Sequence, residues 1–544
     1  MARSPLTRRL RRALRLAALP PGADPARAGA GERTSGPGRH TRRDALRAGG
    51  VAFAGLVASR CASVVPAAAG ADEVLVVGGG LAGLTTAWRL RQAGVAVRVL
   101  EAQERVGGRV LSLRGAFPEG LVAELGGELV DSGHESFRAL ASELGLELDD
   151  LLVEPPGVVE TFHFGGARRS EAELVEAMRP VAEAARRDLA LLGESPDVTW
   201  RGPEAARALD ALSIPAWLER SGISGWPRTL VEVAFESECG LPPGEQSCLN
   251  FLLFASFGPD EPRLYGDSDE RFRVRGGNDQ VPARLAGQLG EAVLRGTRLE
   301  ALRTGSDGRY VASVRRDGVS REERASHVVL ALPFTLLREV RLETPLSPMK
   351  KRAIAELGYG TNAKLMTGWA RREWRLAHGS TGSVMTDAGF QVCWETSRAQ
   401  KGTAGVLTNF TGGAEGIAAG GGTPAERASE LATRLDAVFR GISAWHRPQE
   451  AVRFHWPTHP WTRGSYACYR TGQVTAFGGS EGEPEGRVFF AGEHTSRLHQ
   501  GFMEGACESG GRAAREVLAT MGVPTVDASP SPSWRRTSPG RRDA

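Results

Sequence analysis

The chain has 544 residues, 41% of them hydrophobic and 24% charged, which excludes a fibrous or wholly disordered protein and leaves material for two or three domains. Its net charge of +4 belongs to the leader: residues 1–69 hold 13 arginines against three acidic residues, so the remainder is net acidic and nothing points to nucleic acid as a partner. Cys239, Cys248, Cys393, Cys468 and Cys507 form neither a zinc pattern nor a disulfide framework, so no metal is expected; Cys239 and Cys248 read either as a pair or as free thiols.

In chain order the leader comes first. Thr41 to Leu46, reading TRRDAL, form a twin-arginine pattern; an apolar stretch follows from Ala48 to Ala58, and small residues end at Ala67, Ala68 and Ala69. That stretch is too short for a stable membrane anchor, so a cleaved signal read by the twin-arginine machinery is expected, with export to the periplasm or the outside. The competing reading is a basic disordered tail.

Val74 to Val77 reads as a buried parallel strand, because the run is apolar without alternation. Gly78, Gly80 and Gly83 follow at GxGxxG spacing, with Ala82 between them as a further small cofactor contact. Gly78 permits the tight turn, Gly80 the approach of a pyrophosphate, and Gly83 close packing of a helix on the strand. Leu84 to Gln92 is predicted helical, Gly94 ends it, and Val95 to Leu100 is a second strand with Glu101 at its tip. A carboxylate there accepts hydrogen bonds from ribose hydroxyls, which completes a dinucleotide-binding βαβ unit.

Gly107, Gly108 and Arg109 follow the acid as a second close-approach loop with a cation for the pyrophosphate. Here the sequence resembles the flavin-containing amine oxidases, the family of monoamine, polyamine and L-amino acid oxidases, over roughly residues 72–520. The resemblance implies FAD as cofactor and an α/β fold: a Rossmann-like FAD-binding domain (72–134, 271–340 and 456–520) carrying an inserted α+β substrate-binding domain (135–270 and 341–455). Residues 521–544 read as a disordered tail.

Further along, ELGGELVDSGH (Glu124–His134) resembles the family's strand in which paired glycines, Gly126 and Gly127, lie against the flavin. Glu128 reads either as a polar substrate contact or as a structural carboxylate, and His134 as a helix cap. Residues 135–270 look largely helical, and Phe251–Phe257 fits either a pocket lining or core. Leu299 falls where relatives contact adenine through a strand backbone. Lys364, in the apolar strand reading LGYGTNAKLMTGW (Leu357–Trp369), matches a lysine bonded through water to flavin N5. It is one of four lysines against 64 arginines, so the chain seldom chooses lysine for a positive charge.

In RFHWPTHPWTRGSYACY (Arg453–Tyr469), the resemblance implies that Trp461 packs near the flavin and that Tyr466 is one wall of an aromatic cage. Ser465 stands where monoamine oxidases attach FAD through cysteine, and a serine cannot form that thioether, so FAD is expected to be non-covalent. VFFAGEHTSRLHQGFMEGACESGGR (Val488–Arg512) resembles the second flavin signature, with Gly492, Glu493, Gly501 and Met503 as cofactor contacts and Phe502 as the second cage wall.

The implied chemistry is hydride transfer from the carbon bearing an amine to the flavin, with dioxygen as the final acceptor and an amine or amino acid as the small-molecule substrate. Leu129 occupies the place of an arginine used by the venom-type amino acid oxidases. Desaturases and porphyrinogen oxidases of the same fold, acting on carbon–carbon bonds, and a non-catalytic flavin-binding protein are the alternatives. Pairing with a second copy as a homodimer is left open.

Overall fold

The computed structural model describes residues 73–524, except 156, 194–197, 258–261 and 264–267. The leader with its twin-arginine pattern and the tail from residue 525 lie outside the described residues.

A five-stranded parallel sheet holds the first motif, in the order Val293–Leu294, Val97–Leu100, Val74–Val77, His327–Leu330, Val488–Phe490. The central strand is buried on both faces, which is why its sequence is apolar without a break. Val74 and Val76 point into a core shared with the helices Leu81–Gln92 and Met503–Thr520. Leu75 and Val77 point the other way, into a core formed with the second sheet. That sheet runs Val319–Ala325, Tyr310–Arg316, Thr297–Thr304, Arg341–Glu343. The two helices touch where side chains are small: Thr86 donates to the Gly510 carbonyl at 3.0 Å, and a Cβ on Gly510 would lie 2.5 Å from the Ala82 oxygen.

Helix Glu135–Glu143 sits with this dinucleotide core through Phe137, Leu140 and Ala141. Glu504 fixes it there by accepting the Ser136 and Phe137 N–H groups, both at 2.8 Å, at the start of the helix. His134 precedes that helix without capping it; its Nδ1 instead accepts the Asp131 N–H at 2.9 Å and its Nε2 meets Asp131 Oδ2 at 3.0 Å.

A seven-stranded mixed sheet forms the other layer, in the order His446–His455, Ala363–Trp369, Gly405–Thr411, Val392–Glu395, Ser380–Thr386, Val159–Phe164, Ala167–Arg168. Residues 135–270 are therefore less uniformly helical than their pattern suggests. Val159–Phe164 is a strand parallel to Ser380–Thr386 and buried beyond its first residue, so it has no polar face to announce it. The helices Glu171–Ala190, Gly225–Cys239 and Cys248–Phe254 share one core with it. The first is started by a reciprocal capping box between Ser170 and Glu173. In the Phe251–Phe257 segment, Phe251 and Leu252 are core. All five cysteines among the described residues are free, and no described helix is long and apolar enough to cross a membrane.

Candidate active site

The turns after the parallel strands open into a cleft. Its lining runs from the glycine turn at Gly78 and Glu101 to Tyr466 and Phe502, an elongated course that suits a dinucleotide with a substrate beside it. Gly78 has φ 110°, a conformation that favours glycine, and a Cβ on Gly83 would collide with the Gly78 carbonyl, so strand and helix pack closely only because both side chains are missing. Gly80 is different. Its backbone is extended, and a Cβ there would meet nothing within 4 Å on the side that faces the cleft. Ala82 lines the same wall, and helix Leu81–Gln92 begins without a side-chain cap, so N–H groups and room for a phosphate coincide.

Glu101 also lines the cleft. Its Oε2 accepts the Gly79 N–H and its Oε1 the Gln103 N–H, each at 2.8 Å. A carboxylate has about four lone-pair sites, so two stay available to ribose hydroxyls. Burial pushes this carboxyl above its ordinary pKa, against the pull of the two N–H groups and Arg105. Glu101→Gln is expected to weaken FAD binding by about 1–2 kcal/mol, since a charge-assisted bond becomes a neutral one. An FAD dissociation constant equal to the parent's would show that Glu101 does not hold the ribose.

Farther along the wall, Gly108 and Arg109 face Gly492 and Glu493. Arg109 Nη1 donates to Glu493 Oε1 at 2.7 Å and to the Ser465 carbonyl at 2.8 Å. Glu493 also accepts the Gly501 N–H at 2.8 Å and the Ala467 N–H at 3.3 Å. Burial alone would raise the Glu493 carboxyl, but Arg109 and these donors hold it below its ordinary value. One buried ion pair thus fixes the backbone on both sides of Tyr466 and the residue before Phe502. Burial pushes His494 beside it down to about 3, against the opposing pull of Glu493.

Tyr466 and Phe502 line the same cleft, as do Trp461, Leu299, Gly501 and Met503. Tyr466 donates its phenol to the Glu238 carbonyl at the end of helix Gly225–Cys239. Phe502 lies parallel to Phe254, 6.2 Å between centroids, with the His134 ring edge-on at 5.0 Å. It stands at the N-terminus of helix Met503–Thr520, whose dipole points into the cleft and favours negative charge there.

Four expected contacts sit behind the wall and not on it. Gly126 and Gly127 were expected against the flavin; a Cβ on Gly126 would collide with the Arg109 carbonyl, and one on Gly127 would lie 2.7 Å from Met503 Sδ. They make room for two residues that do face the cleft. Lys364 is buried, and its Nζ donates to Glu128 Oε2 at 2.8 Å, the Glu124 carbonyl at 2.9 Å and the Gly126 carbonyl at 3.0 Å. An ammonium has three N–H groups, so a water-mediated role at the flavin needs one of these bonds exchanged. Glu128 has its other oxygen bonded to Trp394 Nε1, at 3.0 Å, and to Thr396 Oγ1, which leaves it placed as a structural carboxylate and not as a substrate contact.

Among the cleft residues that escaped the sequence are three charged ones. Arg298, Glu339 and Arg463 come from separate segments and meet only on folding, with Glu339 between Arg463 and Arg298, the latter at 3.7 Å. Arg298 sits in the strand Thr297–Thr304 and Arg463 in the segment Arg453–Tyr469, and no spacing in either announces that Glu339 will join them.

A cleft with a dinucleotide cradle at one end and an aromatic pair at a helix N-terminus at the other defines a flavin-dependent oxidoreductase. The chain belongs to the flavin-containing amine oxidoreductase family, which it matches over residues 81–518. It is 26% identical to an L-amino acid dehydrogenase of Synechocystis sp. over 477 residues, covering 85% of this chain and 97% of that one. It is 27% identical to the flavin-containing amine oxidase B of Cavia porcellus, over 83% and 86% of the two chains. The fold superposes on cyclohexylamine oxidase from Brevibacterium oxydans with a TM-score of 0.73 at 22% identity, covering 83% of this chain and all of that one. The protein is thus an FAD-containing enzyme that oxidises amines.

Proposed function

We propose that the substrate is a primary amine without a carboxylate, converted to an imine that water hydrolyses to an aldehyde and ammonia while dioxygen becomes hydrogen peroxide. When bound, FAD supplies the acceptor for the hydride that leaves the carbon bearing the amine. Gly80, Ala82, Glu101, Gly108 and Arg109 would hold its dinucleotide part, and Gly492, Gly501 and Met503 the part nearest the substrate. Tyr466 and Phe502 hold the amine between their faces, an arrangement that also attracts its protonated form. Trp461 and Leu299 keep the cleft apolar, and Ser465, bonded to its neighbours by hydrogen bonds alone, agrees with non-covalent FAD.

The charge along the wall carries this reading. The three arginines that line the cleft are each engaged, Arg109 by Glu493 and the Ser465 carbonyl, Arg298 and Arg463 by Glu339. Among the described residues, no arginine lining the cleft is without a carboxylate or carbonyl partner. An L-amino acid is the second reading, and one observation favours it. His499 lies 6.4 Å from Phe502 between ring centroids; burial lowers its pKa, yet Glu508, Glu504 and Asp131 hold it above the ordinary value, which favours the protonated form behind the cage. Peroxide release from a panel of amines, repeated with L-amino acids, separates the two. Peroxide from amino acids alone would overturn the amine reading, and flavin that neither class reduces would move the protein to carbon–carbon chemistry.

We also propose export through the twin-arginine pathway, supported by Arg42 and Arg43 before the apolar stretch. Cell fractionation of the Arg42→Lys/Arg43→Lys variant should find the protein retained in the cytoplasm; parent-like export would refute the signal.

A further inference from the structure

Tyr466 is placed by a residue that never reaches the cleft. Asn362 is fully buried, in the turn that leads into the strand Ala363–Trp369. Its Oδ1 accepts the Ser465 hydroxyl at 2.6 Å, and its Nδ2 donates to the Ser237 carbonyl at 2.8 Å. Both partners lead to the same ring. Ser465 is the residue before Tyr466, and Ser237 lies in the last turn of the helix whose Glu238 carbonyl accepts the Tyr466 phenol; the Ser237 oxygen itself is 3.5 Å from that phenol.

The surroundings are cut to this side chain. A Cβ on Gly240 would collide with Asn362 Oδ1, one on Gly360 would come within 2.9 Å of it, and one on Gly412 within 3.0 Å of Nδ2. Only a planar group with an acceptor on one arm and a donor on the other satisfies both neighbours. Aspartate keeps the acceptor and loses the donor. Leucine keeps the shape and loses both.

We propose that Asn362 is a positioning residue for amine oxidation: it locks the backbone at Ser465 to the end of helix Gly225–Cys239, so that the face of Tyr466 is presented to the amine at a fixed angle. The proposal rests on the reading of Tyr466 as a cage wall. Arg109 and Glu493 hold the backbone carbonyl of Ser465 and the N–H of Ala467 from the cofactor side, and Asn362 supplies the matching constraint from the substrate-domain side. The ring is then held at its backbone and at its phenol, and the two restraints converge on one helix terminus. Groups joined in one such network act as a unit, so their removal is not additive.

The test uses FAD-loaded protein and tert-butylamine, which carries no hydrogen on the carbon bearing nitrogen and so binds without being oxidised. Its dissociation constant is read from the change in flavin absorbance. Ser465→Ala removes only the hydroxyl, whereas Asn362→Asp replaces the donor arm by a buried carboxyl oxygen facing the Ser237 carbonyl. Both are expected to keep the parent flavin content, to weaken tert-butylamine binding about five- to tenfold, roughly 1–1.4 kcal/mol, and to raise KM for an oxidisable amine more than they lower kcat. Tyr466→Phe should weaken binding less in the Asn362→Asp background than in the parent, because the anchor it shares is already loosened. A merely structural Asn362 would lower the melting temperature and leave the dissociation constant alone. Parent-like tert-butylamine binding in Ser465→Ala, whether or not Asn362→Asp folds, overturns the positioning role if Tyr466→Ala itself weakens binding. Should Tyr466→Ala also bind as the parent does, the cage reading falls and Asn362 falls with it.

Discussion

Lys364→Met is expected to destabilise the protein by about 3–5 kcal/mol, the usual cost of removing one partner from a buried ion pair. The lysine and Glu128 are each 1% exposed, and methionine would leave the Glu128 carboxylate bonded to Trp394 and Thr396 but to no cation, with Arg273 acting only at longer range. It would also abandon the Glu124 and Gly126 carbonyls. Lys364→Met with Glu128→Gln should recover most of the loss, because replacing a whole buried pair by neutral groups of similar size is often close to neutral. Urea denaturation of the two variants and the parent measures this, and a single variant within 1 kcal/mol of the parent, a margin set by the spread of ordinary core changes, would mean that the pair is not what holds the strand Ala363–Trp369 against the glycine segment.

The same pair gives a pH signature. Burial alone would raise the Glu128 carboxyl, but Lys364 and Thr396 hold it below its ordinary value, so its contribution is fully present above the unfolded value and is lost as pH falls through the lower folded one. In Lys364→Met the burial of Glu128 persists while its strongest lowering influence is gone, so the folded value rises towards or above the unfolded one and less stability is lost on acidification. The stability gap between parent and variant should therefore narrow on acidification. The double variant serves the kinetic question too. If Lys364 takes part in the redox steps by exchanging one bond for water, flavin reduction or reoxidation in the double variant slows at least tenfold, about 1.4 kcal/mol of barrier; parent-like half-reactions would leave Lys364 purely structural.

That geometry marks where sequence reasoning stops. Motifs that act through backbone are legible, since Gly78 and Gly83 are glycine for steric reasons within the fold and Gly80 keeps room open for a ligand, all at fixed spacing. Pairings between distant side chains are not. The scarcity of lysine singled out Lys364, but nothing in the chain joins it to Glu128, 236 residues away, or shows that both lie behind the wall. Gly126 and Gly127 illustrate the same limit: the sequence shows that something approaches them closely, and the structure that it is Arg109 and Met503. The strand Val159–Phe164 was hidden among helices because its partner Ser380–Thr386 lies more than 200 residues on.

Two glycines three residues apart in the same motif, Gly80 and Gly83, should respond in opposite ways. Gly83→Ala places a methyl group against the Gly78 carbonyl oxygen and 3.2 Å from the Ala331 Cβ, where strand and helix cannot separate without breaking the sheet's contact with its first helix. Overpacking of this kind costs about 1–3 kcal/mol, and the loss should be the same with and without added FAD. Gly80→Ser meets no atom of the protein within 4 Å of the new Cβ, its extended backbone suits any residue, and serine is a good residue at the start of a helix. The folded protein without FAD should be as stable as the parent or slightly more so. What serine occupies is the room into which a pyrophosphate must come, so FAD affinity should fall at least tenfold, about 1.4 kcal/mol. Denaturation midpoints with and without saturating FAD read both effects at once, because a ligand that binds only the folded state adds stability in proportion to the logarithm of its concentration over the dissociation constant. Gly80→Ser should lose part of that FAD-dependent increment and nothing else, whereas Gly83→Ala should keep the increment and lose the baseline. A Gly80→Ser protein that retains the full increment would place the pyrophosphate elsewhere in the cleft.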